Sequence, residues 1–302
     1  MYKIIFNILI QVIVLILVFY NFREHINIDL IYTLFDINFF YILIYMSISK
    51  ILIIFSFNYI LTILSNKKLH ALKIGEIILT GGLINYILPG VGFIYKYAKL
   101  KKLNYITLPQ YAITQTIWSF NSLSAYAIFA ILGGTIIIAI GKNTLYLALS
   151  LFVLLTIIIK LKFKIKAYLF YLSTKFKFIK NLIDTLSILK KNKMKLLKIY
   201  VIFILLVLIE SFGFFLVLDY LSNESLDIIK TGYVYILSSL TVVILGMNYF
   251  GFFAAVSMVT SSLIMPDTSN IFINTFLFNF VNICSMILVL LILSLMINIK
   301  KN

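Results

Sequence analysis

The chain has 302 residues, of which 63% are hydrophobic and 12% charged, and its formal net charge is +16 at pH 7. Soluble domains are nearer half apolar, and a chain this hydrophobic could not cover its surface with polar groups. The composition therefore excludes an ordinary water-soluble enzyme. It predicts an all-α polytopic membrane protein, a single integral membrane domain over 1–302, with lipid as its main solvent.

The positive charge is concentrated beside the apolar runs. All 26 basic residues except Arg23 are lysines. Nucleic-acid binding is one interpretation of such a charge, but lysines that flank apolar runs are typical of cytoplasmic loops and of contact with anionic lipid. We therefore expect membrane lipids with anionic headgroups as partners, and no nucleic acid.

Several apolar runs approach the ~20 residues that a helix needs to cross the hydrocarbon core. After the first run, Phe19, Tyr20 and Phe22 stand where a signal peptide would need small residues, so we expect an uncleaved first span. The region 105–140 would exceed about 50 Å as a single helix. With Pro109 near its start, we predict an interfacial or inserted segment at 105–119 and a span only from about 120. The six predicted spans are 4–20, 37–62, 120–140, 144–159, 199–221 and 271–297.

Two further apolar stretches, 76–95 and 232–265, contain helix-breaking sequences. The first includes GGLINYILPGVG at 81–92, and the second includes LGMNYFG at 245–251. Proline removes a backbone donor and glycine loosens the backbone, so both interrupt helices. Irregular backbone at membrane depth is tolerated only where it is buried in protein or lines a wet cavity. We predict that each stretch is a re-entrant hairpin.

Flanking charge sets the predicted topology. Lysines precede the first broken stretch and follow it, so both flanks favour the cytoplasm. The loop 160–198 carries 12 lysines and one acid, whereas the loops around the second broken stretch are acidic or neutral. These charges predict cytoplasmic N- and C-termini. They also predict two units of span, hairpin and span, about 37–140 and 199–297, as an inverted repeat of the kind found in transporters.

The first broken stretch resembles the lysylphosphatidylglycerol synthase transmembrane, or flippase-domain, family (UPF0104). Its matching residues are Asn85, Pro89, Gly90 and Gly92, and Lys96 stands where the family has an arginine. Around the second break, Gly246, Asn248 and Gly251 fit the family's second signature. That signature's proline is absent, and alanine occupies the approximate position of its glutamate.

The resemblance implies a protein of the cell inner membrane that translocates a phospholipid or lipid-linked glycan, or assists its translocation, in envelope or surface-polysaccharide assembly. Possible partners are then the membrane proteins of lipid or polysaccharide biosynthesis. Two alternatives stay open: a membrane-embedded transferase acting on lipid-linked sugars, and a non-transporting scaffold. The family's soluble aminoacyl-transferase domain has no counterpart in this sequence, so lipid aminoacylation is not expected.

Two charged residues interrupt the predicted spans at their centres, Lys50 in 37–62 and Glu210 in 199–221. An unpaired charged side chain at the centre of a span costs about 2.5–3.5 kcal/mol on insertion scales. We predict that they pair, as a gate or a proton-coupled site; the alternative is that each snorkels or lines water without a role.

The remaining candidates lie in the hairpins. Asn85 and Asn248 are expected either to offer amides to a lipid headgroup or to cap the broken helices. The functional interpretation is favoured for Asn85 and capping for Asn248. Lys96, together with Pro89, Gly90, Gly92 and Gly251, completes the predicted headgroup site. Cys284 is the single cysteine and the two histidines lie in different loops, so we expect no metal and no cofactor.

Overall fold

The computed structural model describes residues 36–65, 69–88, 90–136, 188, 192–221, 226–245, 250–265 and 271–299. Secondary structure in these ranges is entirely helical. The eight helices are α1 (Ile37–Ser65), α2 (Ala71–Ile87), α3 (Val91–Lys102), α4 (Leu108–Ile136), α5 (Lys193–Leu221), α6 (Ile228–Leu245), α7 (Phe250–Ile264) and α8 (Ile271–Ile299).

Four of these helices, α1, α4, α5 and α8, are long and apolar enough to cross a membrane. Each has 29 residues, which at 1.5 Å per residue is about 43 Å and exceeds the hydrocarbon core. Three of the predicted spans lie within α1, α5 and α8. The predicted spans 4–20 and 144–159, and most of the basic loop 160–198, lie outside the described residues.

The prediction for 105–140 is wrong, because α4 is one continuous helix from Leu108 to Ile136. Gln110 accepts hydrogen bonds at its Oε1 from the backbone N–H and the hydroxyl of Thr107, at 2.9 and 3.1 Å. This side chain contact satisfies a donor at the start of the helix, as in a capping box. Pro109 stands in the first turn, where its missing N–H removes no helical bond. A proline near the start of an apolar run therefore marks where the helix begins.

The two broken stretches each form a pair of shorter helices, α2 with α3 and α6 with α7, packed against each other. Helix α2 ends at Ile87 and α3 begins at Val91, inside the first sequence that predicted a break. Helix α6 is described as far as Leu245 and α7 from Phe250, and the residues of the second such sequence between them lie outside the described residues. Gly90 has φ of +82°, a conformation that side chains other than glycine rarely adopt. The turn into α3 therefore depends on this glycine.

Both α2 and α6 end near the middle of a long neighbour. Gly75 and Gly82 of α2 face Leu293 and Met286 of α8, so the two helices run antiparallel. Continuing this register places the end of α2 beside the middle of α8. Gly133 of α4 faces the ring of Tyr233 in α6, and the hydroxyls of Tyr126 in α4 and Tyr235 in α6 lie 3.4 Å apart. These two helices therefore also run antiparallel, which places the end of α6 near the middle of α4.

The contacts between helices are related by a simple exchange. When α1–α4 are exchanged for α5–α8 in order, every pair of helices in more than marginal contact maps onto a pair that is also in contact, although the extent of the contact differs. The pair α1–α5 maps onto itself. Two four-helix units with the same order of long, short, short and long helices therefore pack with the same pattern of neighbours.

Helices α1 and α5 run antiparallel. Tyr220, near the end of α5, donates a hydrogen bond to Asp36 at the start of α1, over 3.2 Å. Further along, the rings of Tyr45 and Phe212 lie 5.6 Å apart in an edge-to-face arrangement. Since this pair maps onto itself, the exchange reverses the direction of each helix. A parallel repeat would instead keep these two helices parallel.

The two ends of this bundle differ in charge, with Lys230 of α6 and Glu76 of α2 as exceptions to the pattern. One end, which we call the acidic end, carries Asp36, Asp219 and Asp227 at the start of α1, the end of α5 and the start of α6. At the opposite, lysine end, the end of α3 and the start of α5 bring together Lys99, Lys101, Lys102, Lys193, Lys195 and Lys198.

Candidate functional site

The structure brings Lys50 and Glu210 together. Lys50 Nζ lies 3.7 Å from Glu210 Oε1, with the lysine side chain 3% and the glutamate side chain 16% exposed. Lys50 is one residue before the midpoint of α1, and Glu210 is three residues after the midpoint of α5. The pairing expected from the sequence is therefore present in the geometry, at mid-depth of the two antiparallel helices.

Each ion also has a closer neutral partner. Lys50 Nζ donates to Asn282 Oδ1 of α8 at 2.6 Å. Glu210 Oε2 accepts from the hydroxyl of Tyr235 in α6 at 2.8 Å and from that of Tyr126 in α4 at 3.3 Å. The site thus assembles one side chain from each of α1, α4, α5, α6 and α8.

This arrangement separates two tasks. The opposite charges make the buried pair tolerable, because breaking such a pair strands an uncompensated charge. The amide and the two hydroxyls fix where each charge lies, since hydrogen bonds to charged groups are the stronger ones. Asn282 and Tyr126 each belong to the four-helix unit opposite the ion that they contact, whereas Tyr235 belongs to the same unit as Glu210. If the two units separated, Glu210 would therefore keep Tyr235, and Lys50 would lose Asn282 together with its counterion.

Sequence reasoning missed Asn282, Tyr126 and Tyr235. The tyrosines were grouped with the many aromatic residues expected to pack or to anchor the protein. A signal for Asn282 was available, because α8 carries polar side chains at helical spacing in an otherwise apolar run. The four side chains of this stripe are all buried: Thr275, Asn279, Asn282 and Ser285. A polar stripe in a span faces protein rather than lipid.

Four aromatic rings pack on the acidic-end side of Glu210. Phe214 of α5 has its ring centroid 5.4 Å from that of Tyr235 and 5.0 Å from that of Phe278 in α8. Phe253 of α7 completes the cluster, 5.7 Å from Tyr235 and 6.2 Å from Phe278. We call these four residues the aromatic plug. Since Tyr235 belongs to the plug and also donates a hydrogen bond to Glu210, a displacement of the Tyr235 side chain would alter both the plug and the contacts of the ion pair.

Asn85 caps a helix, the alternative that the sequence left open beside headgroup binding. Its Oδ1 accepts from the backbone N–H groups of Gly90 and Gly92, at 3.1 and 3.0 Å. These are donors that the start of α3 would otherwise leave unsatisfied. The amide oxygen is therefore not available to a headgroup, and the positive end of α3 is already occupied.

The close approach of α2 and α3 requires two glycines. A methyl group on Gly92 would overlap the carbonyl oxygen of Gly81, and one on Gly81 would overlap the side chain of Lys96. The stem of Lys96 thus lies along α2, and its Nζ lies 5.6 Å from the ring centroid of Phe93. Lys96 faces the contact between α2 and α3, whereas Lys99 and Lys101 are exposed on α3.

The remaining predicted site residues are only partly described. Pro89 and Asn248 lie outside the described residues. Gly251 is the second residue of α7, as Gly92 is the second residue of α3. The predicted residues therefore divide into a central ion pair, in α1 and α5, and a capped turn of structural character between α2 and α3.

The fold and the central site define an all-helical protein with helices able to span a membrane and a buried ion pair between two antiparallel ones. No protein-family model, curated protein or solved structure matches the chain. Among the described residues, no group of three or more histidine, cysteine, aspartate or glutamate side chains could hold a metal ion.

Proposed function

We propose that this chain is a flippase-like membrane protein that moves a phospholipid or a lipid-linked glycan across a cell inner membrane, or assists that movement. The observation that carries the proposal is the Lys50–Glu210 pair. It lies at mid-depth between one helix of each four-helix unit, and the contacts of its ions with Asn282 and Tyr126 also join the two units. A buried charge in a span is by default a functional site.

The proposed architecture is an inverted repeat of α1–α4 and α5–α8, with two further spans bringing the total to six. The exchange of helix contacts and the antiparallel course of α1 and α5 support it. We propose that the helix pairs α2–α3 and α6–α7 are re-entrant hairpins from opposite faces, because each ends near the middle of a long helix. The lysine end then faces the cytoplasm, as the positive-inside rule requires.

In this mechanism the two units rock against each other about the α1–α5 contact. Rocking of one repeat against the other around a fixed central site is how inverted-repeat transporters alternate access. The Lys50–Glu210 pair is the gate that must open for a headgroup to pass. The similarity of 81–92 to the flippase-domain family supports the same activity, although Asn85 here is used to cap α3.

The test is transbilayer movement of fluorescent phospholipids and polyprenyl-phosphate lipids in liposomes containing the purified protein. The wild type is expected to accelerate movement of at least one of these lipids over empty liposomes. Lys50→Glu and Glu210→Lys are each expected to abolish it, because each places two like charges side by side. The double variant should recover part of it, and a wild type that moves no lipid of either class would refute the proposal.

A further inference from the structure

The aromatic plug closes only one side of the central site. Equivalent positions in the other unit follow from counting along each helix from its first residue. Phe214 and Phe278 are residue 22 of α5 and residue 8 of α8, and their equivalents in α1 and α4 are Asn58 and Gln115. Two phenylalanines on the acidic-end side are therefore replaced by two amides on the lysine-end side.

The short helices α3 and α7 differ in how far their equivalent side chains are exposed. Phe253 is the fourth residue of α7 and is 7% exposed, whereas Ile94, the fourth residue of α3, is 61% exposed. The face of α3 that carries Ile94 is exposed along its length, and the same face of α7 is buried. The exposed residues are Ile94, Ala98, Lys101 and Lys102, and their buried equivalents are Phe253, Ser257, Thr260 and Ser261.

Packing between helices accounts for this difference. Helix α7 packs along α8, whereas α3 touches α4 only over a short stretch. In that stretch Tyr111 donates to the carbonyl oxygen of Phe93 at 3.0 Å, and its ring lies 5.5 Å from that of Tyr97. The α3–α4 seam is therefore loose where the equivalent α7–α8 seam is closed by the plug.

The chemistry of the open seam matches an anionic phospholipid. Near the end of α3, Lys101 and Lys102 lie on the exposed face, where they can reach a phosphate at the membrane surface. Deeper along the same face, Ile94 and Ala98 are apolar. Asn58 lies about two helical turns beyond Lys50 in α1, toward the lysine end. Its buried Oδ1 accepts no hydrogen bond from the described residues. An unsatisfied buried acceptor suits a ligand that carries its own donors.

We infer that the seam between α3 and α4 is the lateral entrance through which an anionic phospholipid headgroup reaches the central site from the lysine end. The inference rests on the proposed function and names the route to that site. In the alternate conformation, Ile94 packs against α4 as Phe253 packs against α8, while the aromatic plug separates. The repeat supplies both states because each unit can adopt the packing of the other.

The simplest alternative is that Ile94 only faces lipid tails. Val259 of α7 provides the matched control, since it is 63% exposed and lies nearer the end of its helix. We replace Cys284 with serine and introduce Ile94→Cys, Phe253→Cys or Val259→Cys separately. A water-soluble maleimide then labels the purified proteins in phosphatidylcholine nanodiscs.

The Ile94→Cys thiol is expected to react faster than the thiols of both Val259→Cys and Phe253→Cys, because only a hydrated seam delivers the reagent at that depth. In nanodiscs of phosphatidylglycerol its labelling should slow by about fivefold, since a lysine near anionic lipid contributes that order of binding. Labelling no faster than that of Val259→Cys overturns the hydrated seam. Equal rates in the two lipids overturn the anionic headgroup as its occupant.

Transport separates this inference from the proposed function. Asn58→Phe introduces a phenylalanine at the position equivalent to Phe214 in the other unit. This variant is expected to move lipid at least tenfold more slowly than the wild type. If the protein moves lipid but the Ile94→Cys thiol does not react, the lateral entrance between α3 and α4 is refuted and the proposed lipid translocation is not. Reactivity and lipid protection without any lipid movement leave the seam standing and refute the flippase.

Discussion

Lys50 Nζ lies 2.6 Å from Asn282 Oδ1, closer than it lies to its counterion Glu210 at 3.7 Å. The lysine of this buried pair is therefore positioned by an amide and neutralised by a carboxylate. Each of these contacts leads to a prediction about the residues that make it.

Removing one ion is expected to destabilise the protein more than removing both. Lys50→Met leaves Glu210 as an uncompensated buried charge and should cost about 3–5 kcal/mol. Lys50→Met combined with Glu210→Leu should regain most of this loss, because apolar replacement of a buried pair is often near neutral. Thermal unfolding in detergent measures the difference. A double variant as unstable as the single one would show that the two side chains do not act as a pair.

The tyrosine hydroxyls should differ in importance. Tyr235→Phe removes the 2.8 Å hydrogen bond to Glu210, and losing a hydrogen bond to a charged group costs about 1.5–3 kcal/mol. Tyr126→Phe removes the longer contact of 3.3 Å and should cost less.

Tyr233 is the matched control for these substitutions. It is two residues from Tyr235 on α6, and its buried hydroxyl has no partner among the described residues. Tyr233→Phe is therefore expected to leave the unfolding temperature unchanged or to raise it. A loss equal to that of Tyr235→Phe would mean that the method reports the removal of any tyrosine hydroxyl.

A side chain at Gly92 should disrupt the contact between α2 and α3. Gly92→Ala places a methyl group into the carbonyl oxygen of Gly81, and because that neighbour is backbone the helices must move apart, at about 1–3 kcal/mol. Gly82→Ala is the control, since its methyl group would meet Met286 at an ordinary 3.5 Å. Comparison of the two unfolding temperatures tests this prediction, which fails if both variants behave alike.

Substitutions at Asn85 separate capping from headgroup binding. Asn85→Ala removes the acceptor for Gly90 and Gly92 and should cost about 0.5–2 kcal/mol. Asn85→Asp keeps the acceptor and should preserve stability and lipid movement. If Asn85→Asp were stable but inactive, the amide nitrogen would be required for activity and the capping role would be incomplete.

The break before α3 could be predicted because proline and glycine act on the local backbone. The continuous helix α4 could not be recognised from length and Pro109 alone, since Thr107 and Gln110 decide where it starts. Lys50 and Glu210 were found because charges in apolar runs are costly wherever they lie. The capping contacts of Asn85 could not be predicted, because its partners, the N–H groups of Gly90 and Gly92, meet it only once the turn has formed.

The sequence by itself determined that lipid is the main solvent of this protein, where its charges lie and where its two short helix pairs break. These are properties of composition and of local backbone chemistry. Only the tertiary structure decided that Asn282, Tyr126 and Tyr235 hold the two ions, and that α7 is buried where α3 is exposed. Such relationships depend on which helix faces meet, and one sequence allows more than one such packing.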